Sequence, residues 1–200
     1  NISDAVIFTI AVRECVSPQL GRLVLRTGDT GRLPIDLITS VPLTNFATWV
    51  SVPIEHLTNV AVETIAPEIC THSIQSVSNS LYLVTLQTCS NQFLIGTQQV
   101  AWLLMTAVTN QPSAFVPVLI GPSIGTQSDG LFVTNFVTQA GRVVVVGEEP
   151  LLEAVPSTNG RVQLVLYALA GTTNVLETTG QLPAPGVWLP WQTVSTTNLL

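Results

Sequence analysis

An all-β fold is what this 200-residue sequence predicts. Short runs rich in β-branched and aromatic residues recur along its length. Clusters of Gly, Pro, Asn and Ser punctuate them. No segment sustains a capped i, i+3, i+4, i+7 apolar pattern for more than two turns, so helices are not expected. Regularly spaced short strands of this kind build a sandwich or a barrel.

The first element is NISDAVIFTIAV. Read with period two, Ile2, Val6, Phe8, Ile10 and Val12 share one face, on which Asp4 is the only polar member. The strands GRLVLRT, RLPIDLIT, FATWVSVPI and VAVETIA follow, then SLYLVTLQT and QQVAWLLMTAV. AFVPVLIG, LFVTNFVT and GRVVVVG complete the set. The acidic, proline-containing EEPLLEAVPSTNG reads as a linker over 148–158. RVQLVLYAL, NVLETT and VWLPWQTVS then form a smaller group of strands. The expected organisation is an N-terminal strand (1–14), a β-sandwich (15–147), the linker, and a small β domain (159–200).

Composition narrows the function classes. Charged residues make up 9% of the chain and hydrophobic ones 46%, against roughly 25% charged in ordinary soluble domains. Mean hydropathy is +0.49. There is no lysine; the basic residues are Arg13, Arg22, Arg26, Arg32, Arg142 and Arg161. A free monomer blunts exposed sheet edges with charge, especially Lys, so this surface is expected to be covered by neighbours or to belong to an extracellular Thr/Ser-rich protein. A net charge of −6 without a basic cluster argues against nucleic acid. No apolar run approaches the ~20 residues of a membrane-spanning helix. The absence of an initiator Met reads as an exported chain whose signal peptide is already removed.

Three cysteines allow three pairings. Cys70–Cys89, which flank a plausible hairpin, is the expected disulfide, with a loop-entropy contribution of about 3 kcal/mol. Cys15 is left over, either buried or paired between molecules.

Residues 20–147 resemble the cohesin-like β-sandwich family, an Ig-like architecture. The resemblance rests on GDTGRLPIDLIT, NFATWVSVPIEHLTNVAVET, QQVAWLLMTAV, AFVPVLIG and GRVVVVG in that order. Ile54, Glu55 and His56 stand where the family usually has Tyr-Asp-Pro. A second resemblance covers about 35 residues near the C-terminus, to a small β-rich repeat found at the ends of bacterial surface proteins. Gly171, Thr172, Leu176, Glu177, Leu182, Trp188, Pro190, Thr197 and Asn198 hold the matching places. Such repeats continue past Thr-Asn with one or two further strands, so an incomplete C-terminal domain is expected here.

These readings join into one expectation. An incomplete sheet offers a groove, and the N-terminal strand is the complementary part. Donation of Ile2, Val6, Phe8, Ile10 and Val12 into a neighbour's groove would be a head-to-tail contact that propagates into a filament. Trp188, Trp191 and Val194 are the candidate acceptor or junction residues. The alternative is a monomeric cell-surface module that recognises a dockerin-like protein or a glycan. Strand 1–12 could also pair within its own sandwich.

Signals for chemistry are weak. GPSIG at 121–125 matches the Gly-x-Ser-x-Gly string of serine hydrolases, but that elbow needs a following helix. TQSDGLFV follows instead, and Pro122 and Gly125 read as turn formers. Cys70, His72 and Cys89 lack the paired spacing of a structural zinc site. Glu148, Glu149 and Glu153 read as a solvated acidic turn, with too few oxygens for calcium. Trp49, Trp102, Trp188 and Trp191 could stack on sugars, though packing is the simpler role. No catalytic residue, metal or cofactor is expected.

Overall fold

The computed structural model describes residues 14–157, 160–179 and 188–197. The proposed donor strand, residues 1–12, therefore lies outside the described residues, as do Leu182 and Asn198.

The described residues contain thirteen strands and no helix. β1 (Val16–Leu20) and β2 (Arg22–Arg26) lead into β3 (Thr30–Ser51). They are followed by β4 (Leu57–Thr64), β5 (Ile69–Ser76), β6 (Leu81–Thr88), β7 (Leu94–Ala107), β8 (Ala114–Gln127) and β9 (Gly141–Val146). β3 organises them. Its first half lies between β1 and β7, and its second half between β6 and β8. The two halves thus serve opposite layers of a sandwich. The register slips between Thr39 and Leu43, where the Thr39 hydroxyl donates to the Val41 carbonyl at 2.6 Å.

This continuity departs from the sequence reading, which split RLPIDLIT from FATWVSVPI. Proline lacks the ladder N–H and marks breaks. Here Pro42 sits at the slip, and Pro34 sits opposite Gly21, where the chain leaves β3 and turns to pair with β9. A Cβ at Gly21 would come within 2.3 Å of Pro34 Cγ, so only glycine fits this crossing. Beyond it β2 runs parallel to β9, from Arg22 opposite Arg142 to Arg26 opposite Val146.

GPSIG is not a turn; it lies within β8 and is carried past a register slip opposite Thr48–Val50. LFVTNFVT is not a strand, and Phe132 and Phe136 make only isolated bridges. That segment instead shields the free side of β1: Val137 N–H donates to Val16 O and Gln139 N–H to Pro18 O, both at 3.0 Å.

Period-two alternation puts Leu33, Ile35 and Leu37 of β3's first half in the core, with Leu43, Phe46 and Val50 of its second half. β6 adds Val84 and Leu86, and β9 adds Val143 and Val145. Cys70 and Cys89 form a disulfide across the β5–β6 hairpin. Cys15 is free and exposed, not buried.

Part of the segment expected as a linker is a strand. β10 (Leu151–Pro156) pairs antiparallel with β11 (Val162–Tyr167). β12 (Thr173–Thr178) and β13 (Leu189–Ser195) form a second two-stranded sheet, with a register slip at Leu176–Glu177. EEPLLEAVP looked like a linker because its proline and glutamates mask the alternation of half-buried Leu151, Glu153 and Val155.

Candidate functional site

An isolated two-stranded sheet is marginal in water, so each C-terminal hairpin needs support. The β10–β11 hairpin obtains it from the sandwich. Val144 and Val146 of β9 form a small core with Tyr167, against which Leu151, Val165, Leu169 and Val24 pack. Beside it Arg142 donates both guanidinium nitrogens to Glu153, at 2.6 and 2.7 Å, and the Tyr167 hydroxyl donates to Glu153 Oε2 at 2.9 Å. The Arg142 guanidinium sits 5.0 Å above the Phe115 ring, whose edge-to-face partner is Tyr167 at 5.8 Å. The expectation that Glu153 is a solvated turn residue is corrected here. It is a clamp joining β10 to β9 and β11, and nothing local in the sequence pairs it with an arginine eleven residues upstream.

Hydrogen bonds from Arg142 hold the Glu153 carboxyl below the ordinary carboxylate range; partial burial opposes this, and the Tyr167 hydroxyl adds to it. A carboxyl whose folded pKa is depressed contributes stability above its unfolded pKa and loses it as pH falls through the folded value. The docking of β10–β11 should therefore be at full strength above about pH 4.3 and loosen in more acid solution. Hydrogen exchange of residues 151–167 across pH 2–6 checks this. Glu153→Gln should remove the acid step, and an unchanged pH profile in that variant would sink the assignment.

The start and end of the second hairpin are tied to Leu169, just past the first. Thr196, just beyond β13, donates its hydroxyl to the Leu169 carbonyl at 2.7 Å, and its carbonyl accepts from Gly171 N–H at 2.7 Å. This closes one end of a groove of about 580 Å³ between the hairpins. Its walls are Val162–Leu166 of β11 on one side and Trp191, Gln192 and Val194–Thr197 on the other. Leu152 of β10 and Leu176 of β12 complete it. Among the described residues its lining contains no charged side chain, and Val162 and Trp191 are more than 60% exposed.

Of the three acceptor or junction residues expected from sequence, the groove brings Trp191 and Val194 together. Trp188 is exposed on the same hairpin but does not line it. Sequence reasoning missed the opposite wall. The signal was there: RVQLVLYAL alternates, and its residues Val162 and Leu164 remain exposed in the chain alone.

The other sequence candidates do not converge on a site. The Ser123 hydroxyl shares a hydrogen bond with Thr48 at 2.8 Å, while His56 Nδ1 pairs with Gln111 and His72 Nδ1 with Thr64. The disulfide consumes both thiols of the Cys70/His72/Cys89 set. The tryptophans are scattered over β3, β7 and the β13 hairpin. Trp49, with Ser51, Leu81, Leu119 and Gly121–Pro122, borders a hollow of about 450 Å³ on the outer sheet face. No Asp, Glu, Lys or Arg occurs in β5, β6, β8 or the second half of β3, which build that face.

No family model matches the sequence, and no curated protein matches it at a significant level. Solved structures do. The sixth cohesin of scaffoldin B from Acetivibrio cellulolyticus, in complex with a mutant Cel5 dockerin, aligns with a TM-score of 0.57 at 14% identity, covering 65% of this chain and 98% of its own. The sandwich has the cohesin fold. A non-cellulosomal cohesin from the archaeon Archaeoglobus fulgidus gives 0.55 at 17% identity, over 67% of this chain and 93% of its own. The cohesin of the Coh-OlpC–Doc435 type I cohesin–dockerin complex from Clostridium thermocellum gives 0.54 at 14%, over 70% and 98%. At such identities the likeness to cohesins speaks for the fold, and the share of this chain that it covers is about the size of the β1–β9 sandwich.

Proposed function

We propose that this chain is a non-enzymatic, extracellular structural subunit that assembles with other copies of itself into a surface filament by donating its N-terminal strand. The observation that carries this reading is the open, uncharged groove between the two C-terminal hairpins, lined by Trp191 and Val194. The donor supplies the matching chemistry, with Val6, Phe8, Ile10 and Val12 on one face. Burying those four side chains is worth roughly 6–12 kcal/mol gross, at about 1.5–3 each. A sparsely charged chain without lysine fits a protein whose neighbours cover its surface.

Deleting residues 1–12 tests the reading. Light scattering should change from very large species to monomer, while the circular dichroism of the sandwich is retained, because β1 begins only at Val16. A full-length chain that is monodisperse and monomeric would sink it.

A second reading, recognition of a dockerin-like protein or a glycan by a monomer, is favoured by the uncharged face around Trp49 and by the dockerin complexes of structures sharing the fold. Titration of the arm-deleted monomer against candidate peptides and glycans, with Trp49 fluorescence as readout, separates it from the first.

A further inference from the structure

We infer that the groove between β11 and β13 is a slot for a single extended strand, filled by residues 6–12 of a second copy. The filled slot gives a five-stranded sheet in the order β10–β11–donor–β13–β12. The inference rests on the strand-donation reading above and adds where the strand goes and from which molecule it comes.

The lining pattern distinguishes a slot from a cleft between packed faces. Successive side chains of a strand point to opposite faces, so a cleft between two faces is lined by every second residue. This groove is lined by five consecutive residues of β11, and on the other side by Trp191, Gln192, Val194 and Ser195 of β13 with Thr196 and Thr197 just beyond it. The β11 wall is therefore a strand edge. The opposite edge of β11 is already paired with β10, and that of β13 with β12. Among the described residues, what remains facing the groove is ladder hydrogen-bonding capacity, which another strand can satisfy.

Length and charge fit the same occupant. β11 has six residues and β13 seven. VIFTIAV, residues 6–12, is seven residues long and uncharged, as is the slot lining.

The anchoring of residue 14 excludes the chain's own arm. The Glu14 carbonyl accepts from Asn135 Nδ2 at 3.1 Å, and the Cys15 N–H donates to Ser40 Oγ at 3.0 Å. From that point β1 runs toward the level of Arg142, which pairs with Arg22 and holds Glu153 of β10. Eight extended residues separate Glu14 from Arg22, about 26 Å at 3.3 Å each. Val12 precedes Glu14 by two residues, a reach of about 7 Å. A chain turning back to its own slot would spend residues 6–13 on the way. The contact is therefore between copies, with the arm rooted at the start of β1 and the β10–β11 hairpin docked beside β2 and β9. Such an arm-in-slot contact propagates head to tail unless two copies exchange arms reciprocally.

Disulfide trapping in the full-length chain tests this. In a Cys15→Ser background, Phe8→Cys is combined with Leu164→Cys, the latter outside the sandwich core. After mild oxidation, non-reducing electrophoresis should show most of the protein in a ladder of covalent multimers. Thr9→Cys with Gln163→Cys is the parallel pair should the first perturb folding. A cross-linked monomer would overturn donation between copies. Large assemblies without either cross-link would overturn the slot while leaving strand donation standing. A monomeric chain without cross-link would overturn both.

Discussion

Replacing Phe46 by Ala is expected to cost about 3–5 kcal/mol, the range for truncating a fully buried phenylalanine. Phe46 has no exposed surface. It lies in β3 just after the chain changes layers, opposite Leu86 of β6 and Gly125 of β8. The Phe136 ring lies 6.5 Å from it, tilted by 40°. That ring fits because the residue across the ladder is glycine: a Cβ at position 125 would stand 3.4 Å from Phe136 Cζ and 3.3 Å from Val133 Cγ2. Alanine at 46 would remove the side chain on which the 131–137 segment rests. Urea unfolding followed by circular dichroism should show a large fall in midpoint with little change in slope. Phe46→Leu, which keeps most of the volume, should cost well under half as much. A cost below about 1 kcal/mol for the alanine variant would mean that the ring is not packed between the layers.

Phe46 also marks what could be read in advance. The alternation of Phe46, Thr48, Val50 and Val52 is plain in NFATWVSVP, and the all-β class follows from many such runs. The path of β3 was not legible. Its two halves are joined through Pro42, and proline normally separates strands; only the partners on either side of residues 39–43 reveal one strand serving two layers. LFVTNFVT failed in the opposite sense. It has strand composition, but the free edge of β1 accepts it only at isolated bridges, so it becomes a shield instead of a ladder member.

The site was half legible for a related reason. Trp191 and Val194 are legible because VWLPWQTVS is a tryptophan-bearing run without charge. The β11 wall is not, since five consecutive residues lining one groove contradict the alternation that sequence reading relies on. Edges are defined by which strands pair, and pairing is a property of the whole sheet. The Arg142–Glu153–Tyr167 clamp escaped notice because its members lie on three strands and meet only after β10–β11 docks.

Removing the disulfide is the other large effect. Cys70 lies on β5 and Cys89 just past the end of β6, nineteen positions apart in sequence. Among the described strands, β5 is terminal on its side of the sheet path and pairs with β6 alone. Its ladder slips a register at Ile69–Thr71, beside the cross-link, and the Cys89 N–H donates to Glu68 O at 2.7 Å, closing the hairpin base. An edge strand with one partner and mostly exposed side chains has little else to hold it. Loop entropy alone assigns the bond about 3 kcal/mol, and a shift in Tm on the order of 10 °C follows for a sandwich of this size. Cys70→Ser with Cys89→Ser should show that shift in calorimetry. Hydrogen exchange in the same variant should rise first in β5, while β3 and β7 stay protected. Intact mass should rise by about two daltons on reduction of the parent chain and not in the variant, one disulfide holding two protons fewer than two thiols. If β5 exchanged no faster once the bond was gone, the strand would be held by its ladder to β6, and the cross-link would be dispensable to the sandwich.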